Sequence, residues 1–127
     1  MPRASAYKTV QINTASPERV MVLLFETALR HMRQSQAAIQ RQELGAFHDG
    51  IRRAAEIVIE LQSALKPDVA PKLCDDLSEI YAFVVGRLML AAANTDPRTV
   101  SEAERAFAPV ADAFVQAAAR TASEPRP

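Results

Sequence analysis

The sequence predicts an all-α protein, an antiparallel up-down four-helix bundle that follows a short N-terminal arm. Apolar residues recur every three or four positions through four long segments, which is the spacing of one side of a helix. The chain of 127 residues holds only 3 glycines, and no stretch alternates polar with apolar residues as a strand does. Long helices joined by short connections run antiparallel, so a bundle follows.

The first helix is predicted from Pro17 to Arg41. Ser16 can cap it, and Pro17 and Glu18 suit its first turn. The second helix has its own apolar stripe, which begins at Leu44 and is out of phase with the first. We therefore infer a tight turn near Gln42, and a single long helix with a phase slip is the alternative. The inward stripes are Val22, Phe25, Leu29, Met32, Gln36 and Ile39, then Leu44, Phe47, Ile51, Ala54, Val58, Leu61 and Leu65.

The third and fourth helices follow breaks at Lys66–Asp68 and Asn94–Pro97. The third is predicted from Ala70 to Ala93, and the fourth continues through Pro109 because its stripe stays in phase. Their inward residues are Leu73, Leu77, Ile80, Val84, Leu88 and Ala91, then Val100, Ala103, Phe107, Val110, Phe114 and Ala117. The chain thus divides into an arm (1–15), the bundle (16–121) and a polar tail (122–127) that we expect to be disordered.

Composition excludes several classes of function. Lys plus Arg and Asp plus Glu each number 15, so the net charge of zero gives no basis for binding nucleic acid or an anionic membrane. Cys74 is the single cysteine, which rules out an intramolecular disulfide and a thiolate metal site. No secretory signal and no stretch long enough to span a bilayer is found, so a cytoplasmic protein is expected.

The residues predict no enzyme, no metal and no cofactor. No Glu stands three residues before a His, as the di-metal sites of bundles require. A phosphotransfer bundle needs one exposed histidine, and His48 is the better candidate. Asp49 follows His48, however, and its charge would oppose a phosphoryl group. A solvated helix histidine is the preferred interpretation.

The first and third helices carry more apolar surface than one inward stripe can hold. Val20–Phe25 and Ile80–Val85 are apolar nearly all round, and Leu88–Leu90 continue the second run. The arm, a second copy of the chain, or amphipathic helices of another protein could cover this surface. A larger core with some exposed apolar side chains is the fourth possibility.

The opening residues resemble a known family. The run Tyr7–Glu18, YKTVQINTASPE, followed by Val22–Glu26, is similar to the start of the flagellin-specific secretion chaperones, the FliS family. Its Thr-Ala-Ser-Pro segment is the most specific part. Arg53–Leu61, Ile80–Leu88 and Asn94–Asp96 are similar as well, so the resemblance covers about Tyr7 to Ala119.

The resemblance implies a helical bundle of the bacterial cytoplasm that binds the disordered C-terminal segment of flagellin in apolar grooves. It implies that the protein prevents premature polymerisation and delivers the subunit to the export gate of the flagellar secretion apparatus, with no membrane insertion. It also implies that the arm occupies one groove until the client displaces it. Two other hypotheses stay open: a histidine-phosphotransfer-like bundle and a structural bundle that forms homodimers.

We expect eight residues to bind the partner. The resemblance assigns this role to the arm and to matching helical positions, where Phe25 stands in place of the family's usual tyrosine. Val85 is included because it lies in the apolar run Ile80–Val85. Gly86-Arg87 stands where two arginines are common, so the resemblance does not predict the client's sequence preference. The eight residues are Tyr7, Val10, Ile12, Leu24, Phe25, Tyr81, Val85 and Leu88.

Overall fold

Four helices form the protein in the computed structural model, which describes residues 16–123 and the side chains of residues 16–121. They are α1 (Pro17–Gln40), α2 (Leu44–Ser63), α3 (Pro71–Asn94) and α4 (Pro97–Ser123). Each helix packs against the next along the chain, and α4 closes the ring against α1. This arrangement confirms the predicted all-α, antiparallel four-helix bundle.

The predicted domain boundaries are only partly within the described residues. Helix α4 continues to Ser123, so residues 122 and 123 of the segment predicted as a tail are helical. The rest of that tail and the predicted arm, residues 1–15, lie outside the described residues.

Local sequence signals account for where α1 begins and ends. The hydroxyl of Ser16 accepts a hydrogen bond from the backbone N–H of Arg19 at 3.2 Å, as expected of a helix cap. At the other end, Gln42 adopts a left-handed φ of 61°, and the N–H of Glu43 donates to the carbonyl of Ala38 at 2.9 Å. The turn near Gln42 is therefore confirmed, and the alternative of one long helix is wrong.

A second capped turn joins α3 to α4. Thr95 takes a left-handed φ of 49°, and the carboxylate of Asp96 accepts the backbone N–H of Arg98 at 3.0 Å. Because that hydrogen bond favours the charged carboxylate, it holds the pKa of Asp96 below its ordinary value. Pro109 lies inside α4, which does not end there.

Aromatic side chains join three of the helices in the core. The ring of Phe25 stacks on Phe107 and Phe114, with centroids 5.5 and 4.7 Å apart, and Tyr81 lies 6.4 Å from Phe107. Leu73 was predicted to face inward but is 55% exposed, because it lies in the first turn of α3 at the end of the bundle. The inward positions of that helix are Cys74, Leu77, Tyr81, Val84, Leu88 and Ala91.

Helices α1 and α2 approach closely at Gly50. A Cβ atom added to Gly50 would lie 2.9 Å from the backbone oxygen of His31 and 3.0 Å from the Cβ of Ser35. The buried hydroxyl of Ser35 crosses the same contact and donates to the carbonyl of Phe47 at 2.8 Å. The glycine is therefore required by the distance between the two helices.

Replacing Gly50 by alanine should lower the free energy of unfolding by about 1–3 kcal/mol, because backbone atoms of α1 must move to admit the methyl group. The matched control is Gly86→Ala on α3, where an added Cβ meets nothing within 4 Å. That change should raise the free energy of unfolding by about 0.5–1 kcal/mol. Urea titrations followed by circular dichroism measure both values, and equal effects would contradict the close contact.

Candidate functional site

Helix α3 carries large apolar side chains on its outer surface as well as in the core. Phe83, Met89 and Leu90 are 46%, 47% and 43% exposed. They lie within the ordered length of the helix, so end effects do not explain their exposure. Large apolar side chains exposed on one helix are candidates for an interaction site.

Two polar contacts establish which neighbour each flank of α3 faces. Arg87 forms an ion pair with Glu102 of α4 at 3.4 Å, and Gln62 of α2 donates to the hydroxyl of Ser78 at 3.2 Å. Phe83 and Leu90 lie four residues before and three after Arg87, which places them on the α4 side. Ile80 shares this side, as do the half-buried Ala106 and Val110, four and eight residues after Glu102 on α4. We call this surface, made of Ile80, Phe83, Leu90, Ala106 and Val110, the α3–α4 face.

A smaller apolar surface lies on the opposite flank of α3. Val85 is seven residues after Ser78 and therefore shares its side, and Met89 follows Val85 by one turn. Ile59, which is 49% exposed, lies three residues before Gln62 on α2. Ile59, Val85 and Met89 form what we call the α2–α3 face.

An apolar pocket lies where α1 begins and α4 ends. Its volume is about 210 Å³, and its apolar walls are Met21, Val22, Phe114, Ala117 and Ala118. We call it the α1–α4 pocket. A second depression beside it reaches Ser16, the residue at which residues 1–15 join the bundle.

The structure places the predicted partner-binding residues in three different environments. Phe25, Tyr81 and Leu88 are buried in the core, and burial raises the pKa of Tyr81 to about 12. Leu24 and Val85 are half-buried at the surface. The arm residues Tyr7, Val10 and Ile12 lie outside the described residues. In this structure a partner can touch only Leu24 and Val85 among the five described residues, and the role of all eight stays a prediction.

The accessible residues Phe83, Met89 and Leu90 were missed as individual site residues. The excess apolar surface predicted for α3 includes all three of these residues. The predicted partner-binding residues, however, follow mainly from family resemblance. The helical phase could have identified these residues as exposed, because none of the three lies on the predicted inward stripe of α3. Phe25 and Leu88, in contrast, lie on inward stripes and were chosen nevertheless.

The two histidines are held in structural contacts. His48 has its Nε2 atom 3.4 Å from the hydroxyl of Thr95 and its ring edge-on to Phe47. Partial burial lowers the pKa of His31, and the charges of Arg30 and Arg53 lower it further. Among residues 16–123, no group of three or more His, Cys, Asp or Glu side chains could hold a metal ion. None of the four helices is both long and apolar enough to cross a membrane.

A helical bundle with apolar faces on several helices belongs to the class of proteins that bind other polypeptides. A family model described as flagellar protein FliS matches residues 1–121. This chain belongs to the FliS family, which confirms the resemblance drawn from the sequence. A chaperone family is also consistent with the prediction of a protein that is not an enzyme.

Known relatives carry the same description. A flagellar secretion chaperone of Vibrio cholerae is 27% identical over 101 residues, which cover 76% of this chain and 74% of the relative. One of Bacillus subtilis is 25% identical over 113 residues, or 89% of this chain and 84% of the relative. A third, from Pseudomonas aeruginosa, is 26% identical and covers 72% and 73% of the two chains.

Paired alanine substitutions should separate core residues from face residues. Phe25→Ala and Leu88→Ala remove buried side chains, so we expect losses of about 3–5 and 2–5 kcal/mol in the free energy of unfolding. Phe83→Ala and Leu90→Ala remove half-exposed side chains, so we expect losses of about 1 kcal/mol or less. The last two should also lower the binding of a hydrophobic fluorescent dye. Equal losses within the phenylalanine pair would contradict the assignment of Phe83 to an open face.

Proposed function

We propose that the protein is a cytoplasmic export chaperone that binds the disordered C-terminal segment of flagellin. In this proposal it prevents premature polymerisation and delivers the subunit to the export gate of the flagellar secretion apparatus. The observation that carries the proposal is the α3–α4 face, where large apolar side chains stand open along the middle of a helix. The family assignment supports this function over a phosphotransfer module.

The α3–α4 face suits an amphipathic helix. Ile80, Phe83 and Leu90 are spaced by three and seven residues, so they form one row that an apolar helical stripe can cover. Arg87 lies with its guanidinium 5.0 Å from the ring centre of Phe83 and also contacts Glu102. Two charged groups thus border the apolar row, as in the polar rim of an interface.

The α2–α3 face and the α1–α4 pocket offer further places for the same client. A disordered segment that folds on binding can follow several surfaces in turn, and it loses part of the gross interaction energy to ordering. Fully burying one large apolar side chain contributes about 1.5–3 kcal/mol. The exposed half of each such side chain adds roughly 1 kcal/mol, so contacts on several of these surfaces are needed to offset the ordering cost and reach the micromolar or tighter affinity that we expect.

We also propose that the arm competes with the client for the α1–α4 pocket. Residues 1–15 join the bundle at Ser16, which borders the depression beside that pocket. An extended chain spans about 3.4 Å per residue, so Val10 and Ile12 lie within reach of the pocket. Docking of these residues would shield apolar surface and lower the apparent affinity for the client.

Calorimetric titration with a peptide of about 40 residues from a flagellin C-terminus, a segment that we expect to fold on binding, tests whether flagellin is the client. We expect saturable binding with one peptide per chain. The double variant Phe83→Ser with Leu90→Ser should weaken it at least tenfold, because both side chains lose their apolar contacts with the peptide. Val69→Ser is the matched control, since Val69 is 76% exposed in the α2–α3 connection.

Two outcomes would count against the chaperone proposal, and a third would count against the α3–α4 face as its site. A titration that releases no heat would argue against flagellin as the client. A doubled mass in light scattering at low concentration, together with no peptide binding, would favour a structural homodimer. Equal affinities of the face variant and the Val69→Ser control would place the client elsewhere on the bundle.

Deleting residues 1–15 should tighten peptide binding or promote aggregation of the free protein, because the deletion removes the competitor and uncovers the α1–α4 pocket. The double variant Val10→Ser with Ile12→Ser keeps the arm's length and should reproduce the tighter binding. Calorimetry and light scattering measure the two effects. If neither the deletion nor the double variant differs from the full chain, the arm is not a competitor.

A further inference from the structure

A polar cleft lies between the second half of α1 and the first half of α2, away from the apolar faces. Its volume is about 410 Å³. Ala38, Ala46 and Gly50 contribute only small groups to its wall, and the close contact at Gly50 requires the absence of a side chain there. Longer side chains at the rim therefore enclose an open space, which we call the α1–α2 cleft.

Arginines outnumber carboxylates among the residues that line the cleft, and a further carboxylate, Glu43, pairs with one of these arginines. Arg41 and Arg53 line it together with a single carboxylate, Asp49. Asp49 accepts hydrogen bonds from Nε of Arg53 at 2.8 Å and from Arg52 at 2.7 Å, so its charge is shared between two guanidinium groups. Those hydrogen bonds hold the pKa of Asp49 below its ordinary value, and the carboxylate stays ionised and engaged.

Two uncharged side chains of the cleft can also donate hydrogen bonds to an anion. His31 and Gln34 line the same space. Burial is the largest cause that lowers the pKa of His31, and the charges of Arg30 and Arg53 lower it further, which favours the neutral imidazole. A neutral imidazole and an amide can both donate hydrogen bonds to an oxygen ligand.

The arginines at the rim can still bind a ligand, although each of them already forms an ion pair. Arg41 pairs with Glu43 at 3.0 Å, and both side chains are more than half exposed, at 60% and 51%. Exposed pairs contribute only about 0–1 kcal/mol, so an incoming carboxylate can share or replace them with little loss. A guanidinium also has five N–H donors, and Arg53 uses its Nε for Asp49.

We propose that the α1–α2 cleft binds an acidic side chain, aspartate or glutamate, of a second protein partner. Arg41 and Arg53 line the same cleft, and Asp49 beside them opposes a carboxylate with one charge less than it opposes a doubly charged phosphate. Along α1, Met21 of the α1–α4 pocket and Ala38 of the cleft are separated by roughly 26 Å. The partner can therefore engage while the α1–α4 pocket is occupied, and this inference goes beyond the proposed function.

The test uses the ¹⁵N-labelled full chain and two short synthetic peptides, one rich in glutamate and one with glutamine at the same positions. The glutamate peptide should shift the amide resonances of Ala38, Ala46 and Gly50, and higher salt should weaken its binding. Replacing both cleft arginines, Arg41→Gln with Arg53→Gln, should lower its affinity at least tenfold. Arg105→Gln is the matched control on the exposed side of α4 and should change nothing.

A second variant, Ala46→Leu, narrows the cleft and keeps every charge. It should also lower the affinity for the glutamate peptide. Equal binding of the two peptides, or equal affinity after loss of both cleft arginines, would overturn the proposal. Preferential binding of an RNA oligonucleotide at these residues would overturn it too. The arginine variants should bind the flagellin peptide normally, so failure of this inference is distinguishable from failure of the chaperone proposal.

Discussion

Each helix of a four-membered ring contacts two neighbours and can bury only the part of its surface that faces them. Helix α3 exceeds that limit. Tyr81, Val84 and Leu88 fill its share of the core, so Phe83 and Leu90 have no place left inside. Their exposure is a consequence of the ring geometry and of a helix that is apolar nearly all round. The proposed binding of a client at the two faces of α3 depends on that excess.

At the α3–α4 face, packing and the proposed binding depend on different residues. The stacked rings of Phe25, Phe107 and Phe114 and the close contact of α1 with α2 at Gly50 hold the bundle together. The open side chains of the α3–α4 face contribute little to that packing, so their identity can follow the needs of a partner. Open apolar faces also favour aggregation, which gives a physical reason for a covering segment when no client is bound.

Most of the fold could be predicted from the sequence because its signals are local. The Ser16 cap, the break at Pro67 and the phase change near Gln42 determine where helices begin and end, and periodicity gives most inward residues. Leu73 was misplaced because periodicity does not say where the covering neighbour ends.

The candidate site was less predictable from the sequence than the fold. Family resemblance pointed to Phe25, Tyr81 and Leu88, which are buried in the core. The polar cleft depends on the interhelical distance at Gly50, which no local sequence pattern encodes.

The half-burial of the face residues also limits how tightly any one surface can hold a client. Phe83, Met89 and Leu90 are already about half covered by their own bundle, so a partner gains only the remaining half of each side chain. At about 1.5–3 kcal/mol for complete burial, each contact then adds roughly 1 kcal/mol. Useful affinity therefore requires a long segment that follows several faces in sequence. Such a segment can detach one face at a time, which is compatible with the proposed release of the client into a secretion apparatus.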